Sequence, residues 1–250
     1  MKLISIVVLL CSLLFAEPHK VYYYTTEKNI DNFKTLKVNF DRYLSQFGEY
    51  EFQAFSDKEM FETFVNETNC IVLLSSIHYK QIAYAKHLSA VFVAQNKKSI
   101  MDTNVIIGKK GTLLSGVVTT TFSKRYTNKL LQRTFGVNHL RQLKVPKEID
   151  ALMSVGYGMS QFATVSKSSF NLLQKTNKPL THNMRVYSES DPKYRMLVAV
   201  NKRFVKDKNF IKIFSDMSKS SKGQRVLKLL KIDNIVKLNK VHLSDLRSIR

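Results

Sequence analysis

The densest run of potentially reactive oxygen in the sequence is Thr119-Thr120-Thr121-Phe122-Ser123. It follows a β-like run, Leu113–Val118, and precedes a segment patterned as a helix. Hydroxyls beside the unpaired N–H groups of a helix start can hold an anion, because the helix dipole and the orphan donors both favour negative charge. The same residues also suit ordinary N-capping by Thr121 or Ser123, which needs no ligand. Ser75-Ser76, with Tyr79 one turn later, and Ser188 with Ser190 are further hydroxyls that singly fit turns and caps. Tyr22, Tyr23 and Tyr24 could present rings to a cleft or pack into a core.

Other chemistries find little support. The histidines at 19, 78, 87, 139, 182 and 242 form no pair at three- or four-residue spacing, so no metal site is expected. No G-x-S-x-G, P-loop or G-x-G-x-x-G motif occurs. Gly156-Tyr157-Gly158 lacks a third glycine, and Gly108-Lys109-Lys110-Gly111 reads as a basic turn. Cys70 lies in the apolar run Cys70-Ile71-Val72-Leu73-Leu74 with no base placed beside it, which predicts a core thiol. No catalytic residue and no cofactor is expected.

The formal net charge of +21 suggests an anionic partner, or simply a lysine-rich solvated surface. Residues 201–250 carry fourteen Lys/Arg against four Asp/Glu, about half of the excess. Elsewhere the cations are interleaved with acids, without the basic-aromatic motifs of nucleic-acid readers, so no nucleic-acid partner is expected.

The elements that must position these groups alternate between strand and helix patterns, which predicts an α/β fold. Lys20–Thr26 is rich in β-formers. Phe33, Leu36, Phe40, Tyr43, Leu44 and Phe47 share one helix face, with Gly48 as the stop. Ser56 and Glu59 form a capping box for the next helix. Strands are predicted at Glu49–Phe55, Cys70–Leu74, Ala90–Ala94, Val105–Ile107 and Leu113–Thr120, and helices at Ile77–Lys86 and Ser123–Phe135, the latter ended by Gly136. Pro146 reads as the first-turn proline of a helix bearing Ile149, Leu152 and Met153. Strands at Gln161–Val165, Met184–Ser188 and Met196–Val200 and helices at Ser168–Lys175, Asp207–Ser218 and Lys222–Leu230 complete the pattern, followed by a basic tail to Arg250.

Met1-Lys2, the apolar run Leu3–Phe15 and the small Ala16 have the anatomy of a secretory signal peptide over residues 1–16. The run is too short for a comfortable membrane span. An uncleaved anchor and, through Cys11, a lipoprotein are the alternatives, although Leu10 is bulky for a lipidation site. With Cys70 as the one cysteine past the signal, an internal disulfide is excluded and packing must supply stability.

Three stretches carry a family resemblance. They are Tyr43-Leu44-Ser45-Gln46-Phe47-Gly48 through Leu74-Ser75-Ser76-Ile77-His78-Tyr79; Ile149–Val155 through Gly158 to Phe162-Ala163-Thr164-Val165; and Tyr187–Pro192 followed by Gly223-Gln224-Arg225-Val226-Leu227 and Ile232-Asp233. In order and spacing the chain resembles the phosphate/phosphonate-type (PhnD-like) periplasmic solute-binding proteins of ABC transporters. The resemblance implies a two-lobed periplasmic-binding-protein-like II fold, each lobe a mixed sheet flanked by helices. Two hinge strands would cross near Asn104 and Arg185, with lobe one at 17–105 plus 185–250 and lobe two at 106–184. It further implies capture of a small anionic ligand between the lobes by a periplasmic monomer, and delivery to an ABC permease or signalling to a sensor kinase in the inner membrane. A basic surface-binding module with a vestigial cleft is the alternative of another class. Under this resemblance Thr119, Thr120, Thr121 and Ser123 grip the ligand from lobe two, Ser75, Ser76 and Tyr79 face them from lobe one, and Ser188 lies near the return crossing. Asn69-Cys70 and Gln161 stand where the family usually has aspartates, which argues against a ligand amine.

Overall fold

The computed structural model describes residues 18–27, 32–67, 70–113, 115–137, 140–201 and 208–248. The signal-like segment 1–16 lies outside the described residues.

The amino-terminal third builds parallel strands β1 (His19–Tyr23), β2 (Tyr50–Ala54) and β3 (Cys70–Leu74), joined through helices Phe33–Leu44 and Lys58–Glu67. Strand β4 (Leu88–Gln95) follows helix Ser76–Ile82. The short β5 (Met101–Asp102) then leads to β6 (Asn104–Lys109), β7 (Val117–Thr120), β8 (Arg141–Lys144), β9 (Phe162–Ser166) and β10 (Met184–Glu189). The chain returns through β11 (Lys193–Tyr194) to β12 (Leu197–Asn201) and β13 (Asn234–Lys237). Two mixed sheets result, ordered β13-β4-β12-β3-β1-β2 and β10-β6-β9-β7-β8, with β5 and β11 forming a separate antiparallel pair between them.

Strand alternation explains how the first sheet is buried on both faces. Val21 and Tyr23 join a core completed by helices Phe33–Leu44, Lys208–Ser215 and Ser221–Leu229. Tyr22 and Tyr24 point the other way, into a core with Phe61, Ile82 and Leu246. All five residues of β3 are buried, as a strand covered on both faces requires. The three tyrosines are therefore core residues, at 2%, 1% and 7% exposure, and Cys70 is buried beside them. In the second sheet, helices Glu148–Gly156 and Lys167–Thr176 cover one face and helix Lys124–Phe135 the other.

Several sequence expectations shift. Asp57, not Ser56, caps helix Lys58–Glu67, because its carboxylate accepts from the Met60 amide at 2.8 Å. Helix Phe33–Leu44 ends at a right-handed Ser45, and Gly48 (φ +129°) instead serves the turn into β2. Pro146 precedes the cap residue Lys147 rather than opening the helix. Gly136 does end its helix in the left-handed conformation, at φ +70°. The expected basic tail contains β13 and helix Lys240–Ser248, whose Leu238 and Leu246 are buried. Arg185 sits inside β10, paired with Gly108 of the same sheet, so the return passage lies after Glu189 and runs through β11.

Candidate functional site

Strands β7 and β9 are parallel, so their carboxyl ends share one edge of the second sheet, and each runs into a helix there. Antiparallel β6 begins at the same edge, with Asn104 opposite Ser166. In open α/β sheets this edge is where ligands bind. Thr120 Oγ1 accepts from Thr164 Oγ1 at 2.5 Å and from the Phe122 amide at 3.0 Å, and lies 3.2 Å from Thr127 Oγ1. Ser123 caps helix Lys124–Phe135 by accepting from the Tyr126 amide at 3.3 Å. Tyr126 in turn accepts on its hydroxyl from Asn104 Nδ2 at 2.7 Å.

Four side-chain oxygens at this edge are buried without a hydrogen-bond partner among the described residues: Thr119 Oγ1, Thr121 Oγ1, Asn104 Oδ1 and Glu148 Oε1. An unsatisfied buried polar group costs about 1–3 kcal/mol, and native proteins keep few of them. Their concentration at one place is the main polar anomaly of the fold. Two of the four, Thr119 and Thr121, belong to the hydroxyl run that stands out in the sequence.

The other anticipated residues have different settings. Ser75 caps helix Ser76–Ile82, accepting from the His78 amide at 3.2 Å. Ser76 is buried and donates to the Tyr194 carbonyl, which ties the carboxyl end of β3 to β11. Tyr79 binds the Leu88 carbonyl and the Ala90 amide through its hydroxyl and pins its helix to β4. Ser188 lies at a bulge of edge strand β10, opposite Ile106. Gln161 is at the amino end of β9, the far end from the hydroxyls, and its Oε1 accepts from the Val117 amide at 2.7 Å.

Sequence reasoning missed three charged residues. Lys193 of β11 places Nζ 3.1 Å from Glu27 Oε1, with both side chains only 11% exposed. The same ammonium stands 5.6 Å from the centre of the Phe122 ring. Glu148, fully buried, accepts from the Ser166 amide (2.9 Å) and hydroxyl (2.6 Å) on Oε2. Burial, reinforced by the Glu27 carboxylate, pushes the Glu148 carboxyl up to about 7, against the opposing pull of Lys193 and the two serine hydroxyls. Burial alone would lower the Lys193 pKa, but the fields of Glu27 and Glu148 outweigh it and hold the ammonium charged. The lobes touch here: the Glu148 amide donates to Thr26 O at 3.0 Å and the Ser169 hydroxyl to Glu27 O at 2.6 Å. Glu148 carried a weak signal, an acid in a helix first turn after a proline. Lys193 carried none, being one of 40 cations in the chain.

Beside Thr120 and Phe122 opens a cavity of about 490 Å³ whose walls include Lys124, Arg141 and Lys144. Three cations in its lining favour an anionic occupant.

Neither a protein-family model nor a curated protein matches the sequence. Solved structures do match the fold. The binding protein component of an ABC phosphonate transporter from Pseudomonas aeruginosa superposes with a TM-score of 0.69 at 13% identity, over 92% of this chain and 85% of that one. PhnD1 from Prochlorococcus marinus, in complex with methylphosphonate, gives 0.70 at 12% identity over 92% and 96%. This chain has the two-lobed PhnD-like binding-protein fold. A histidine kinase sensor domain with similarity to periplasmic binding proteins matches more loosely, at 0.53 and 14% identity over 87% of this chain and 98% of that one. Strands β5 and β11 pair with each other on the two passages that connect the sheets, and Thr119–Thr121 lie at the carboxyl end of β7.

Proposed function

We propose that the chain is an exported solute-binding protein that captures a small oxyanion, such as a phosphate or phosphonate, between its lobes and delivers it to an ABC permease. The observation that carries this reading is the pair of buried hydroxyls, Thr119 Oγ1 and Thr121 Oγ1, that have no hydrogen-bond partner among the described residues and shortly precede helix Lys124–Phe135. Hydroxyls there can donate to an anion while the helix N-terminus and the nearby cations stabilise its charge. Thr119, Thr120, Thr121 and Ser123 supply the second-lobe side of the grip, with Ser75 and Ser76 on the opposing lobe. Tyr79, Gln161 and Ser188 are assigned supporting places in the scaffold. Residues 1–16 act as the export signal in this reading, and the two lobes swing about β5 and β11. The likeness to a kinase sensor domain favours a second reading, in which the closed form is presented to a membrane receptor.

Isothermal calorimetry against phosphate, alkylphosphonates and sulfonates tests the proposal. Binding of at least one of these by the wild type, weakened in Thr121→Val, is the expected result. Absence of heat for every anion in the panel would overturn the substrate class.

A further inference from the structure

Glu27, Glu148 and Lys193 bring three ionisable groups into a region from which water is largely excluded. Each comes from a different part of the fold. Glu27 follows β1 in the first lobe, Glu148 opens a helix of the second, and Lys193 lies on the hinge strand β11. Isolated buried carboxylates are strongly unfavourable unless a cation compensates them. Here the compensating cation belongs to the chain itself, 3.1 Å from Glu27 and within the field of Glu148. The Phe122 ring, 5.6 Å from Nζ, adds the aromatic wall that suits an ammonium. Glu148 keeps Oε1 buried without a partner, so the acid side of the cluster has acceptor capacity left over.

We infer that Glu27, Glu148 and the face of Phe122 form a cation subsite between the lobes, that the chain fills it with its own Lys193 ammonium, and that Lys193 thereby excludes solutes bearing an ammonium group. The subsite stands on the contacts of Lys193 with Glu27 and Phe122 and on the unpartnered Glu148 Oε1, and the exclusion of amine-bearing solutes rests on the anion-capture reading above. A solute amine would have to displace a tethered cation that is already paired and desolvated. A solute that brings only negative charge meets no such competitor.

The test is chemical rescue. Lys193→Ala removes the ammonium and leaves both carboxylates without their counter-ion, so n-propylammonium should raise the variant's melting temperature in a saturable way. n-Propanol, of the same shape, should not, and the wild type should respond to neither. Adding Glu27→Gln to Lys193→Ala should abolish the rescue. A Lys193→Ala protein that n-propylammonium neither folds nor stabilises overturns the subsite. Calorimetry on the wild type tests the exclusion separately: ethylphosphonate should bind about tenfold or more tightly than 2-aminoethylphosphonate. Equal or tighter binding of the amino compound overturns it. If the wild type binds neither phosphonate, the anion reading fails while the amine rescue still decides the subsite.

Discussion

Arg195 Nη1 stands 3.1 Å from Asp102 Oδ2 and so ties the return passage between the sheets to the outgoing one. The same carboxylate oxygen accepts from Ser168 Oγ of the second lobe at 2.6 Å. Asp102 thus joins β5 to the residue that follows β11 and to the helix Lys167–Thr176 that covers the second sheet. Its partners are well screened from solvent, with the Arg195 side chain 17% and the Asp102 side chain 9% exposed, so the pair acts at more than surface strength.

Asp102→Ala should therefore loosen the connection between the two sheets without unpacking either core. Losing hydrogen bonds to a charged group costs about 1.5–3 kcal/mol each. Small-angle scattering should show a larger radius of gyration than wild type, with far-ultraviolet circular dichroism unchanged. A radius identical to wild type would show that the Asp102 contacts do not hold the lobes.

Thr121→Val distinguishes a ligand-binding hydroxyl from an idle one. Valine keeps the shape and removes an oxygen that has no partner among the described residues. The substitution should raise stability in the absence of solute by about 1 kcal/mol, because an unsatisfied polar group is gone. Anion affinity should fall roughly tenfold. Denaturant titration and calorimetry on one preparation measure the two effects, and a gain in stability without loss of affinity would remove Thr121 from the site.

The Glu148 carboxyl is raised from 4.5 to about 7 in the folded protein, by burial first and the Glu27 carboxylate second. Between those values the folded chain holds a proton that the unfolded chain has released, so stability from this group falls as pH rises. Lys193 and the Ser166 and Ser169 hydroxyls temper the effect without reversing it. Glu148→Gln, which retains an acceptor for Ser166, should flatten this dependence. The stability difference between variant and wild type should therefore grow in favour of the variant from pH 5 to pH 8. A difference independent of pH would assign the titration elsewhere.

Gly223 sits in helix Ser221–Leu229 where an added Cβ would meet the Met217 carbonyl oxygen at 2.0 Å. Backbone cannot yield as a side chain tip does, so Gly223→Ala should destabilise by about 1–3 kcal/mol, the usual range for overpacking. Gly136→Ala meets no atom within 4 Å and is opposed only by its left-handed backbone, at about 1 kcal/mol. Urea denaturation midpoints should rank the two in that order.

What the sequence determined by itself is local or periodic. The helix face of Leu36, Phe40, Tyr43 and Leu44, the apolar run of β3 and the left-handed stop at Gly136 are written in spacing and residue type, because each depends on neighbours a few residues away. The strand at Thr119 and Thr120 and the helix that follows Ser123 were legible for the same reason. Order of elements was enough to suggest the two-lobed fold. Tertiary structure alone decided which hydroxyls lack partners, since Thr120 is satisfied by Thr164, 44 residues away, and Tyr79 by β4. It also decided the pairing between the two connecting passages, because strands as short as β5 and β11 have no periodicity to detect and exist through pairing with each other. Above all it assembled Glu27, Glu148 and Lys193. A lysine's role depends on which carboxylates the fold brings within reach of its ammonium, and nothing local distinguishes Lys193 from the exposed lysines around it.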